Sequence, residues 1–195
     1  MKNKILFLII MIIYIFVPVL IMFNNYLFNI KFYILTVLGI LIFLLMKIFK
    51  ISNSDLGITK NNLLESIKRN TYLIAIFIII IIALKIIGFD KYTSNETLWF
   101  YVFYILVSCP IQEFLYRGIF GYFERNSKYK YLWVIISSLC YSFVHIIYKD
   151  PLTCMLTFLI GIIWFSLYRK DYNLTGVCLS HIVLGILTIS LGIIN

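Results

Sequence analysis

Charge is the first thing this sequence is short of. Asp, Glu, Lys and Arg make up 13% of its 195 residues, about half the share found in soluble domains, which excludes a water-soluble globule with an ordinary polar surface. Proline occurs three times and glycine nine times, too rarely for a collagen-like chain or a flexible linker. Histidine occurs only twice, and eight acids face seventeen Lys plus Arg. The four cysteines, Cys109, Cys140, Cys154 and Cys178, stand singly with no C-x-x-C spacing. Neither a zinc site nor a dithiol redox site is suggested by that pattern, and they read as small buried hydrophobes.

Apolar bulk is what the chain has instead: 63% hydrophobic residues and 18% aromatic. A helix needs about 20 apolar residues to cross a hydrocarbon core about 30 Å thick. Seven runs of roughly that length are visible, near 5–23, 32–49, 72–87, 98–123, 131–148, 152–168 and 174–194. They are continuously apolar rather than alternating, so helices are expected and a β-barrel is not. The reading is an all-α polytopic transmembrane helix bundle of about seven spans, one integral membrane domain over 1–195. The first run is too long for a secretory h-region and has no small-x-small cleavage site after it, so it reads as a retained anchor. The longest polar stretch, 50–70, reads as an interfacial helix or loop.

Orientation follows from the basic residues, which concentrate on the cytoplasmic side of membrane proteins. With seven spans and the N-terminus cytoplasmic, one side carries Lys2, Lys4, Lys47, Lys50, Lys60, Lys68, Arg69, Arg125, Lys128, Lys130, Arg169 and Lys170. The other carries Lys31, Lys85, Lys91 and Lys149, and Arg117 lies inside a span. The basic excess is thus a record of topology and of contact with membrane lipid. No nucleic-acid partner is expected.

Ionisable groups inside a bilayer are costly, and are functional candidates by default. Glu113 and Arg117 share the fourth run, His145 lies in the fifth and His181 in the seventh. A rise of about 1.5 Å per residue puts Glu113, His145 and His181 at similar depth. The spacing of Glu113 to Arg117, and of Tyr141 to His145, is i, i+4, so each pair shares a helical face. A polar pocket or pathway between three helices is the expectation. The competing reading is a buried ion pair that locks one helix, with the histidines as interhelical hydrogen-bonding groups.

These residues resemble a known family, the CPBP (CAAX protease and bacteriocin-processing, or Abi) intramembrane proteases, which include the type II prenyl-protein endopeptidases. Pro110-Ile111-Gln112-Glu113-Phe114-Leu115-Tyr116-Arg117-Gly118 looks like the family's E-E-x-x-x-R motif with its following glycine. Tyr141-Ser142-Phe143-Val144-His145 looks like F-x-x-x-H, and His181-Ile182-Val183-Leu184-Gly185 looks like H-x-x-x-N. The motif-bearing core runs over 98–195. Gln112 stands where the family's first glutamate is expected, Tyr141 where a Phe is, and Gly185 where the asparagine is.

The resemblance implies a metal-independent endopeptidase in the cytoplasmic membrane of a cell. It would cleave a membrane-associated, prenylated or leader peptide or protein within the membrane, with no cofactor. Its catalytic residues would be Glu113 and His145, polarising a water, and His181, stabilising the oxyanion. Arg117 would hold the carboxylate ionised and oriented, with Gln112 and Tyr141 in support. Two non-hydrolytic readings stand beside it: a catalytically impaired membrane scaffold or bacteriocin self-immunity protein, and a small proton-coupled transporter. A zinc site of two histidines and a carboxylate is a rival chemistry, but H-E-x-x-H is absent and no metal is expected.

Overall fold

The structure is a computed structural model that describes residues 2–89, 91–93 and 95–194. Among the described residues there are helices and no strands. Six helices are long and apolar enough to cross a membrane: α1 (from Lys2 to Phe23), α2 (Lys31–Ile48), α3 (Leu63–Ile86), α4 (Leu98–Arg125), α5 (Lys130–Val144, extended by a tighter turn to Tyr148) and α6 (Pro151–Asp171). The seventh apolar run forms a shorter helix, α7 (Leu174–Ser190), of 17 residues. The chain is a multi-pass membrane protein.

α4 is the central element. Every residue from 113 to 121 is buried, as befits a helix that is apolar on all sides and enclosed by neighbours. It is not a uniform α-helix: it widens into π-helical turns at Tyr104–Ser108 and at Phe114–Gly118. Pro110 follows the first of these. A proline in a helix lacks an N–H and clashes with the carbonyl four residues back, and an added residue in the preceding turn is one way to accommodate it. The second π-turn accepts hydrogen bonds from two neighbouring helices. The Tyr14 hydroxyl of α1 donates to the Leu115 carbonyl at 2.7 Å, and the Ser137 hydroxyl of α5 donates to the Tyr116 carbonyl at 2.5 Å. Gly118 closes that turn because a Cβ there would sit 2.6 Å from the Leu56 carbonyl oxygen.

The polar stretch at 50–70 divides differently from the expectation. Residues 51–62 form a loop with one 3₁₀ turn at Ser54–Leu56, but 63–70 are the opening turns of α3, with Ser66 and Asn70 buried. Their polarity serves buried hydrogen bonds rather than solvent, and Asn70 donates to the Ser66 carbonyl one turn back at 3.0 Å. Ser66 donates to the Asn173 carbonyl at 3.1 Å, and the Asn173 amide donates to the Thr59 and Asn61 carbonyls, each at 2.8 Å. Arg69 pairs with Asp171 through two hydrogen bonds of 3.0 and 3.1 Å. Asn173 also caps α7, its side chain accepting from the Thr175 N–H at 2.9 Å.

Asp150 does the same for α6. Its carboxylate accepts from the Leu152 and Thr153 N–H groups and from the Thr153 hydroxyl, Pro151 fills the first helical position, and Lys91 approaches at 3.1 Å. Burial pushes this carboxyl up, but the hydrogen bonds from Thr153, Tyr92 and Lys91 outweigh it and hold the group below the usual carboxylate range. A depressed folded-state value stabilises the protein at neutral pH, and the contribution is lost as pH falls below about 4. Asp150→Asn keeps a capping oxygen but not the charge. The variant is expected to melt below the wild type at about pH 6, with the gap narrowing progressively as pH falls below about 4. A pH-independent gap in detergent melting curves would refute this.

Candidate active site

The residues expected at similar depth meet in a specific geometry. Glu113, fully buried, lies against two partners on different helices. One carboxylate oxygen accepts from His181 Nδ1 at 2.7 Å, and the other lies 3.2 Å from Arg117 Nε. The Arg117 contact is an ion pair by distance but lacks aligned N–H···O geometry, and the guanidinium nitrogens meet no hydrogen-bond acceptor among the described residues. The cation instead lies over aromatic faces, 4.2 Å from the Tyr141 ring centre and 5.2 Å from that of Trp164. Such faces attract a desolvated guanidinium. α4, α5, α6 and α7 therefore meet around one charge pair.

His181 is fixed on every side. Glu113 accepts the proton on Nδ1, the Trp164 ring stacks on the imidazole at 4.7 Å and 27°, and the Tyr141 hydroxyl lies 3.3 Å from Nε2. Trp164 is itself held by its indole N–H, which donates to the Ser180 hydroxyl at 2.8 Å. His145 is held differently. It occupies the tight turn that ends the fifth span rather than the body of α5, and its Nδ1 lies 2.8 Å from the Tyr141 carbonyl. A carbonyl can only accept, so Nδ1 carries the proton, and in the neutral ring Nε2 keeps its lone pair.

Both histidines line one cavity of about 670 Å³, within the usual range for a small-molecule pocket. Gln112, Ser108, Tyr104, Tyr141, Trp164 and Gly185 share its wall. Gln112 donates to the Ser108 hydroxyl at 2.9 Å. Phe77, Ile80, Ile81 and Leu84 of α3 and Leu156, Leu159, Ile160 and Ile163 of α6 form an apolar side.

Adjacent in sequence, Gln112 and Glu113 have opposite surroundings: Gln112 lines the cavity, whereas Glu113 does not. This changes the expectation that Glu113 polarises a water. Both its oxygens face buried partners, and the cavity position beside it holds an amide. The structure brings Glu113, Arg117, His181 and Tyr141 into one contact cluster and puts Gln112, His145, His181 and Tyr141 on the cavity wall. Among the described residues no group of three or more His, Cys, Asp or Glu is arranged to hold a metal ion.

Three residues of this site escaped the sequence reading. Ser108 lies four residues before Gln112, a helical spacing that a search for same-face polar pairs would have found. Tyr104 and Trp164 carry no such signal, one lost in the aromatic run 99–104 and the other in an unbroken apolar helix.

The comparison with known families bears on the whole cluster. A family model described as type II CAAX prenyl endopeptidase Rce1-like matches residues 94–187. Over that segment, just under half of its length, the chain is similar to the Rce1-like family. All six residues singled out from sequence, from Gln112 to His181, lie within the match. The Rce1-like family is one of CAAX-type intramembrane proteases, so protease activity is the family-level expectation for the cavity. No curated protein and no solved structure matches the chain.

Proposed function

We propose that this protein is an intramembrane endopeptidase that hydrolyses a peptide bond near the C-terminus of a lipid-modified peptide, with His145 as general base. The observation that carries the reading is the hydrogen-bond state of His145: its Nδ1 proton is committed to the Tyr141 carbonyl, which leaves an accepting Nε2 on the ring that lines the cavity. In this mechanism Nε2 takes a proton from a water as the water oxygen attacks the scissile carbonyl, and the Gln112 amide orients that water. The resulting Nε2–H then protonates the leaving nitrogen as the carbon–nitrogen bond breaks. Glu113 acts through His181, fixing its ring and balancing the charge of Arg117. The apolar side formed by α3 and α6 would accept the lipid chain, and the protein would sit N-terminus inward in the cytoplasmic membrane.

The test is proteoliposomes carrying the purified protein and a farnesylated peptide with a three-residue C-terminal extension, read by mass spectrometry for the released tripeptide. Cleavage that His145→Ala removes supports the proposal. An intact peptide that nonetheless binds would overturn it in favour of a non-hydrolytic binding protein, the reading that the amide at Gln112 favours. Gln112→Glu is expected to raise kcat about tenfold or more by placing a carboxylate base on the wall. A kcat that does not rise would show that the wall gains nothing from a second base.

A further inference from the structure

α7 presents a gap without a side chain to the cavity at Gly185, one turn beyond His181, and the gap is filled from α4. A Cβ built on Gly185 would overlap the Tyr104 hydroxyl and lie 2.8 Å from its ring carbon Cζ. No side chain other than glycine's leaves room for the phenol there. The Tyr104 ring is positioned by two neighbours, stacking on Phe100 at 5.7 Å and 24° and meeting His181 edge-on at 5.9 Å and 82°. It belongs to the first π-turn of α4. Tyr104 and Gly185 both line the cavity that His145, Gln112 and His181 line.

A phenol on such a wall is a neutral hydrogen-bond donor. Among the described residues the Tyr104 hydroxyl has no oxygen or nitrogen partner, its polar neighbour being the weakly hydrogen-bonding Cys109 thiol, whereas Tyr141 is paired with His181 and one Gln112 N–H with Ser108. Hydrolysis of an amide needs donors aimed at the oxygen that becomes negative when the water adds. We propose that the Tyr104 hydroxyl, held in the space that Gly185 leaves open, donates to the tetrahedral oxyanion. Tyr104 and Gly185 are then one unit: the glycine supplies the space and the tyrosine the donor. The inference rests on the hydrolytic reading above.

Its test uses Tyr104→Phe, which keeps the ring and deletes only the hydroxyl. Loss of one oxyanion donor is expected to lower kcat on the order of 10²-fold with KM little changed. Affinity for a peptide analogue bearing a tetrahedral phosphonate at the scissile position should fall by a similar factor, while affinity for the uncleaved peptide holds. Gly185→Asn alone should be nearly inactive, because the new side chain meets the phenol. Combined with Tyr104→Ala it should recover part of kcat by putting an amide donor into the vacated volume. Wild-type kcat and phosphonate affinity in Tyr104→Phe would overturn the assignment and leave the hydrolytic reading standing. If the wild type cleaves nothing, that reading falls instead, and the phosphonate decides: a preference for it that Tyr104→Phe abolishes keeps the donor, and no preference removes it.

Discussion

His145→Ala is expected to lower kcat for the farnesylated peptide by about 10²–10⁴-fold, the usual contribution of a positioned general base. The protein itself should survive the change. The ring is partly buried, and its one hydrogen bond, to the Tyr141 carbonyl at the end of α5, is worth about 1 kcal/mol. Melting in detergent should therefore shift little while turnover collapses. The conservative variant His145→Gln sharpens the test, because it keeps a donor for the Tyr141 carbonyl but offers no comparable base. Equal loss in both variants assigns the defect to proton transfer. Retention of wild-type kcat in either would remove His145 from the reaction and return the search for a base to the carboxylate of Glu113.

Glu113→Leu is expected to do more damage to the fold than to any single chemical step. Both groups of the ion pair are wholly excluded from solvent, and deleting one partner leaves a buried charge uncompensated. Losses of about 3–5 kcal/mol are typical for that event, enough to unfold a marginal protein. Adding Arg117→Met removes the orphaned charge and should restore most of the stability, since buried pairs exchange for well-packed hydrophobes at little net cost. Activity should not return with it, because His181 would still lack the acceptor for its Nδ1 proton. A double variant that regains both stability and turnover would show that Glu113 serves only as a counter-charge. One that regains neither would show that Arg117 holds the helices through its aromatic contacts, with Glu113 secondary.

The sequence was most legible where membrane physics leaves few options. Continuous apolar runs can only be helices in lipid, and intramembrane ionisable residues are rare enough to point at a site. What it could not convey was which way two neighbouring side chains turn. Gln112 and Glu113 are about 100° apart on an α-helix. Which of them meets the cavity depends on the two π-turns on either side, and nothing in the composition of 104–108 or 114–118 announces those. Polarity at 63–70 has a second use that the sequence did not convey: Ser66 and Asn70 are buried, Ser66 donating to the Asn173 carbonyl of a distant junction and Asn70 to the Ser66 carbonyl one turn back. Local polarity does not distinguish a group facing water from one satisfying a buried carbonyl.

The apolar side of the cavity has a kinetic corollary. Ile80 of α3 and Leu159 of α6 both line it and both are substantially exposed on the outside of the bundle, where acyl chains rather than water surround a multi-pass protein. A lipid-anchored peptide would then arrive sideways, by two-dimensional diffusion, and its effective concentration would be a mole fraction of the bilayer. Diluting the peptide with inert phospholipid at constant bulk concentration should slow turnover, whereas diluting the whole vesicle suspension should leave the rate per enzyme unchanged.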